Sequence, residues 1–178
     1  MKGLIFTEFL TMVEKKFSMD LVDEIIEMSE LPNQGAYTAV GTYSHHEMNA
    51  LVSALSKKTG IELNSLLVVF GEYLFQTLAK SYPHFINESK GLLDFLGSIE
   101  SYIHIEVKKL YPDAELPKFS SHYTDDKTLE LTYQSERHYG ALAEGLINGA
   151  ILHFNTGNLT GKEKLPDGGV KFIISTNG

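Results

Sequence analysis

The chain contains no cysteine in 178 residues. That removes disulfides, thiolate zinc sites, iron–sulfur clusters, cysteine nucleophiles and thioether-linked haem from consideration. It also lacks a basic cluster. Its densest cationic groups are mere pairs, such as Lys57-Lys58 and Lys108-Lys109, in a chain of net charge −8. A nucleic-acid backbone or an anionic membrane surface is therefore a poor fit as main partner. Long hydrophobic runs are missing as well. The longest, Leu66 to Phe70, is far short of the roughly 20 residues that span a bilayer. The opening segment MKGLIFTEFLTMVEKKF is interrupted by Glu8 and Glu14 and does not read as a signal peptide. These absences predict a soluble cytoplasmic protein, and the length predicts one domain over residues 1–178.

What is present falls into two patterns. Ile5, Phe9, Val13 and Phe17 recur at four-residue steps, predicting a helix from about residue 2 to 17. A second helix is expected over 19–30, ending before Leu31-Pro32. Ser44-x-x-Glu47 is a capping box ahead of Met48, Leu51, Val52 and Leu55, and Gly60 suits a left-handed cap at the other end. Asn64 opens a long helix to about Tyr82, a short helix is expected over 89–97, and another runs from Ser98 to Tyr111. After Pro112 the period changes to two: 117–124 and 128–137 flank a turn at Asp125-Asp126-Lys127. A glycine-bearing helix at about 139–154 and a last strand through Val170, Phe172 and Ile174 complete the pattern. The expected class is α+β: a helical N-terminal part, then a small antiparallel sheet with an interposed helix.

Seven histidines invite a search for metal ligands. His45-His46-Glu47 fails the metalloprotease pattern because residue 50 is alanine. His104 is different, lying mid-helix among Ile103, Ile105 and Val107 and bordering the expected apolar stripe Leu96, Ile99, Ile103, Val107, Leu110. By spacing alone a satisfied boundary histidine is the simpler reading. A lone imidazole in an apolar wall suits haem iron, which takes one proximal protein ligand, better than zinc, which takes three or four. Further on, the alternation through 128–137 puts Tyr133, Ser135 and Arg137 (Y-x-S-x-R) on one strand face. A half-exposed strand with an extended arginine explains them individually. As a row, a phenol, a hydroxyl and a forked guanidinium suit a ligand with an apolar body and an anionic end.

Taken in order, Met-Lys-Gly-Leu-Ile-Phe at the start, Phe70-Gly71, Ile103-His104-Ile105-Glu106-Val107, Pro117, Tyr133-x-Ser135-x-Arg137 and Gly145-Leu146-Ile147-x-Gly149 resemble the haem nitric oxide/oxygen-binding (H-NOX) family. These are bacterial relatives of the soluble guanylate cyclase sensor domain. The resemblance covers essentially the whole chain. It implies non-covalent ferrous haem b buried between the helical part and the sheet. His104 would be the proximal iron ligand, and Tyr133, Ser135 and Arg137 would hold the propionates. Pro117 and Ile5 would press on the two faces of the macrocycle. The zinc site of some relatives needs cysteines and is not carried over.

The same alignment places Leu142 where oxygen-binding members use a distal tyrosine, and Leu74 at the position that often assists it. Phe9 and Leu146 complete an apolar wall. Bound dioxygen gains from a hydrogen-bond donor, nitric oxide much less. The resemblance therefore implies a nitric oxide sensor that also takes carbon monoxide and has no catalytic activity. It would signal through a shift of the His104 helix to a separate histidine kinase or diguanylate cyclase. The alternatives are an oxygen-binding haem protein, which needs a phenol such as Tyr73 or Tyr139 turned into that wall, and a haem-dependent enzyme, which needs polar distal groups.

Overall fold

The computed structural model describes residues 1–176, and the chain divides into two compact units, Met1–Phe70 and Gly71–Gly178. The first unit holds α1 (Gly3–Lys16), α2 (Met19–Met28), α3 (His45–Thr59) and the start of α4 (Leu63–Ser81). No side chain caps α1. Its first N–H groups are satisfied instead by the loop ahead of α3: Gly3 N donates to Gly41 O at 2.8 Å and Leu4 N to Ala39 O at 3.0 Å. The approach is close enough to require glycine, since a Cβ at Gly3 would lie 1.9 Å from the Thr38 carbonyl oxygen. The anchored helix then buries Phe6, Phe9, Met12 and Val13, the i, i+3, i+4 pattern of a one-sided helix. The expected capping box is present at Ser44 and Glu47, and Gly60 caps α3 at φ 72°.

The second unit begins within α4. It continues through α5 (His84–Asn87), α6 (Leu92–Gly97), a π-helical turn at Ile99–Ile103 and α7 (His104–Leu110), then β1 (Lys118–Asp125), β2 (Thr128–Gln134), α8 (Gly140–Phe154), β3 (Asn158–Lys164) and β4 (Val170–Ser175). The four strands form one antiparallel sheet in the order β1-β2-β4-β3. Leu129, Leu131 and Tyr133 of β2 pair with Ile174, Phe172 and Val170 of β4, and all six side chains are buried. That is the period-two pattern of a sheet with one covered face. Helix α6 packs on β1 and β2, and α8 on β2 and β3. The architecture is the expected α+β arrangement, and no described helix is long and apolar enough to cross a membrane.

Three expectations need correction. The single helix over 98–111 is not continuous: Ile103 N bonds to Ser98 O at 3.2 Å and His104 N bonds to Ile99 O. Both are i→i+5 bonds, which take one more residue per loop than an α-helix. Each extra residue rotates the remainder of the helix by about 100°, so a stripe drawn at period 3.6 loses its phase. Leu96 stays buried, Ile99, Ile103 and Val107 are half-buried, and Leu110 is 54% exposed. Second, β2 ends at Gln134, opposite Lys118, so Ser135 and Arg137 lie past the strand. Third, β3 was not anticipated; its side chains are mostly exposed, and an edge strand without apolar alternation carries little signal.

Candidate functional site

His104 and Tyr133 are linked through Phe119 where the π-turn and α7 adjoin the start of β1. The π-turn delivers His104 onto α7 with its side chain 15% exposed and Nδ1 3.1 Å from Glu100 Oε2. The same Glu100 oxygen accepts the backbone N–H of Phe119 in β1 at 3.0 Å. The Phe119 ring lies 5.8 Å from the imidazole and 5.5 Å from the Tyr133 ring, centroid to centroid, so aromatic packing runs from the helix histidine to the sheet. Burial pushes the His104 imidazole below its ordinary pKa, partly opposed by Glu100. A neutral imidazole carries one proton, and a carboxylate can only accept. The proton therefore sits on Nδ1, and the Nε2 lone pair is left for another partner. This is the arrangement of a metal-ligating histidine, whose second nitrogen bonds a carboxylate or carbonyl.

Tyr133, at the end of β2, is buried, and its phenol oxygen accepts the Tyr139 backbone N–H at 3.0 Å. Its pKa is raised by burial, against the lowering effect of Ser135, the Tyr139 N–H and Arg137. Past the strand the chain turns. Ser135 Oγ accepts Arg137 N–H at 3.2 Å, and Ser135 O accepts His138 N–H at 3.2 Å, so a serine hydroxyl competes with the sheet ladder for backbone donors. The turn sends Arg137, 17% exposed, back toward the segment before β1. There it pairs with the Glu115 carboxylate and donates to the Glu115 carbonyl at 3.1 Å. Tyr133, Ser135 and Arg137 are thus together, but by a turn rather than as a row on one strand face. Pro117, half-buried, lies two residues beyond Glu115.

Leu74 on α4 is buried, and Leu142 and Leu146 on α8 are half-buried. Those two helices nearly touch: a Cβ on Gly71 would stand 2.4 Å from Leu142 O and 2.7 Å from Gly145 Cα. Tyr139 is buried just ahead of α8 and Tyr73 is half-buried on α4. In the first unit, Phe9 is fully buried and packs edge-on against Phe70 at 5.2 Å, while Ile5 is half-buried on the same helix.

Glu100, Glu115 and Phe119 were not anticipated. Glu100 was within reach of sequence reasoning, since it sits four residues before His104 on one helix face. Glu115 lies in an aperiodic segment, and no pattern marks it. Among the described residues, no three histidine or acidic side chains are grouped to hold a metal. A metal ligated by protein alone does not match this arrangement. An iron whose other ligands come from a macrocycle does, because one imidazole suffices. The hydroxyls and guanidinium around Tyr133 are donors that could bind the carboxylates of such a group.

Residues 2–158 match the family described as Haem-NO-binding. The chain is similar to the Fe(II) unliganded H-NOX protein from K. algicida, with 41% identity, a TM-score of 0.93, and coverage of 100% of this chain and 97% of that one. It is 37% identical to the IWP-051-bound H-NOX from Shewanella woodyi in the Fe(II)CO state, with a TM-score of 0.83 and 99% and 95% coverage. It also matches soluble guanylate cyclase gcy-35 from Caenorhabditis elegans, at 26% identity over 142 residues. That match takes in 77% of this chain and about a fifth (20%) of the cyclase.

Proposed function

The chain belongs to the haem-NO-binding H-NOX family, and from that premise we propose that residues 1–178 act as one ferrous-haem nitric oxide sensor domain, with His104 as the proximal ligand. The observation that carries this reading is the His104 imidazole, 15% exposed, with Nδ1 3.1 Å from the Glu100 carboxylate, the kind of contact that leaves the other ring nitrogen to a metal. Haem b supplies the ferrous iron that takes the diatomic ligand. Tyr133, Ser135 and Arg137 hold its propionates. Arg137 already pairs with a carboxylate, that of Glu115, while its other terminal nitrogen donates to the Glu115 backbone carbonyl. Pro117 presses on the macrocycle, and Leu74, Leu142 and Leu146 supply the hydrocarbon wall on the gas side.

Hydrocarbon at those positions favours nitric oxide and carbon monoxide. A partly anionic bound dioxygen would find no donor from Leu74, Leu142 or Leu146. The protein is a binding and signalling domain in the cytoplasm, and its output passes through α7 to a separate chain, a histidine kinase or a diguanylate cyclase. The short π-turn ahead of His104 supports that route, since such turns are less regularly bonded than α-helix and recur at functional sites.

Replacing His104 by glycine tests the ligand. Purified His104→Gly is expected to lose haem, or to hold five-coordinate ferrous haem only with added imidazole. An unchanged ferrous absorption spectrum without imidazole rejects His104. Wild-type ferrous protein in air-saturated buffer is expected to form no stable oxygen complex. An oxy spectrum would bring Tyr73 or Tyr139 into the gas pocket and overturn the nitric oxide reading.

A further inference from the structure

The geometry points to Glu100 as the positioning residue for His104: one carboxylate oxygen fixes the tautomer and plane of the imidazole and ties it to the edge of the sheet. This rests on His104 as iron ligand and goes beyond it, by assigning what holds the ligand in place and what it is mechanically joined to.

Three observations carry the inference. Glu100 Oε2 is shared between His104 Nδ1 at 3.1 Å and Phe119 N at 3.0 Å. The two donors belong to different elements, α7 and β1. The carboxylate itself rides on the π-turn, so the helix carrying the ligand and the strand after Pro117 meet at one oxygen. Phe119 also packs against the imidazole and against Tyr133. A displacement of His104 therefore changes a bond that also closes the start of β1. A carboxylate acceptor on Nδ1 further raises the basicity of Nε2, so Glu100 sets how firmly His104 holds a metal as well as where it points. Glutamine in its place keeps the size and one acceptor oxygen but removes the charge.

The test uses haem-loaded wild type, Glu100→Gln and Glu100→Asp. For Glu100→Gln the iron–histidine stretching band in resonance Raman is expected to move to lower frequency, and haem transfer to an acceptor protein is expected to be roughly tenfold faster or more, as for other partners of ligating histidines. Glu100→Asp keeps the charge and is expected to restore the band part-way. Nitrogen-15 spectra of the haem-free protein, which need no iron, are expected to report His104 protonated on Nδ1 in wild type and a mixture of tautomers in Glu100→Gln. A lowered melting temperature with an unmoved Raman band and unmoved tautomer signals would make Glu100 a structural brace only and overturn the proposal. An unchanged His104→Gly spectrum would instead reject the ligand assignment beneath it.

Discussion

Replacing Gly71 by alanine puts a methyl group where the backbone of α8 already stands. The new Cβ would lie 2.4 Å from Leu142 O and 2.7 Å from both Gly145 Cα and Leu146 N, about 1 Å short of ordinary contact distance. None of these atoms is the end of a flexible side chain, so relief requires α4 and α8 to move apart and loosen the packing around Leu74 and Phe75. Overpacking of this kind costs about 1–3 kcal/mol, and a backbone obstacle belongs at the upper end. Alanine in a helix interior returns up to about 1 kcal/mol relative to glycine, leaving a net loss of about 2 kcal/mol. For a chain of this length that corresponds to a melting temperature lower by roughly 4–8 °C. Thermal unfolding followed by circular dichroism measures it on wild type and Gly71→Ala side by side. Gly149→Ala, whose Cβ would lie 2.6 Å from Phe75 Cβ, is expected to behave alike. An unchanged or raised melting temperature for Gly71→Ala would refute the close packing of the two helices, because propensity alone predicts stabilisation.

Tyr133→Phe removes the acceptor of the Tyr139 N–H in a buried setting and is expected to cost about 1–3 kcal/mol, read as a lower urea midpoint; an equal midpoint would mean that this N–H has another acceptor. Arg137→Ala is expected to speed haem loss more than Ser135→Ala, since a charge-assisted fork is about twice as strong as a neutral hydrogen bond, and the reverse order in a haem-transfer assay would place Arg137 outside the site. Burial pushes Tyr139 from 10.0 up to about 12, so its neutral phenol contributes stability that is fully present below the unfolded pKa and is lost as pH rises from 10 through 12. Denaturation at increasing alkaline pH should show wild type losing more stability than Tyr139→Phe across that window, and parallel losses would contradict a buried neutral phenol.

The sequence by itself determined the elements with strong periods and clear ends. Helix α1 was legible because Phe9 and Val13 recur on one face, α3 because Ser44 and Glu47 are a local start signal and Gly60 a local stop signal, and β2 because Leu129, Leu131 and Tyr133 alternate. The ordered motifs around His104 and Tyr133 were enough to point to the family, because each depends on residue type and spacing alone. Tertiary structure decided what depends on partners distant in the chain. The π-turn before His104 has no periodic signature, and it rotated Leu110 out of the stripe that a uniform helix predicts. The end of β2 at Gln134 was set by the last pairing with Lys118, which put Ser135 and Arg137 on a turn. The bond from Phe119 to Glu100 spans 19 residues and that from Arg137 to Glu115 spans 22. Local spacing carries no information about such contacts; they exist because the sheet edge and the helix are folded against each other.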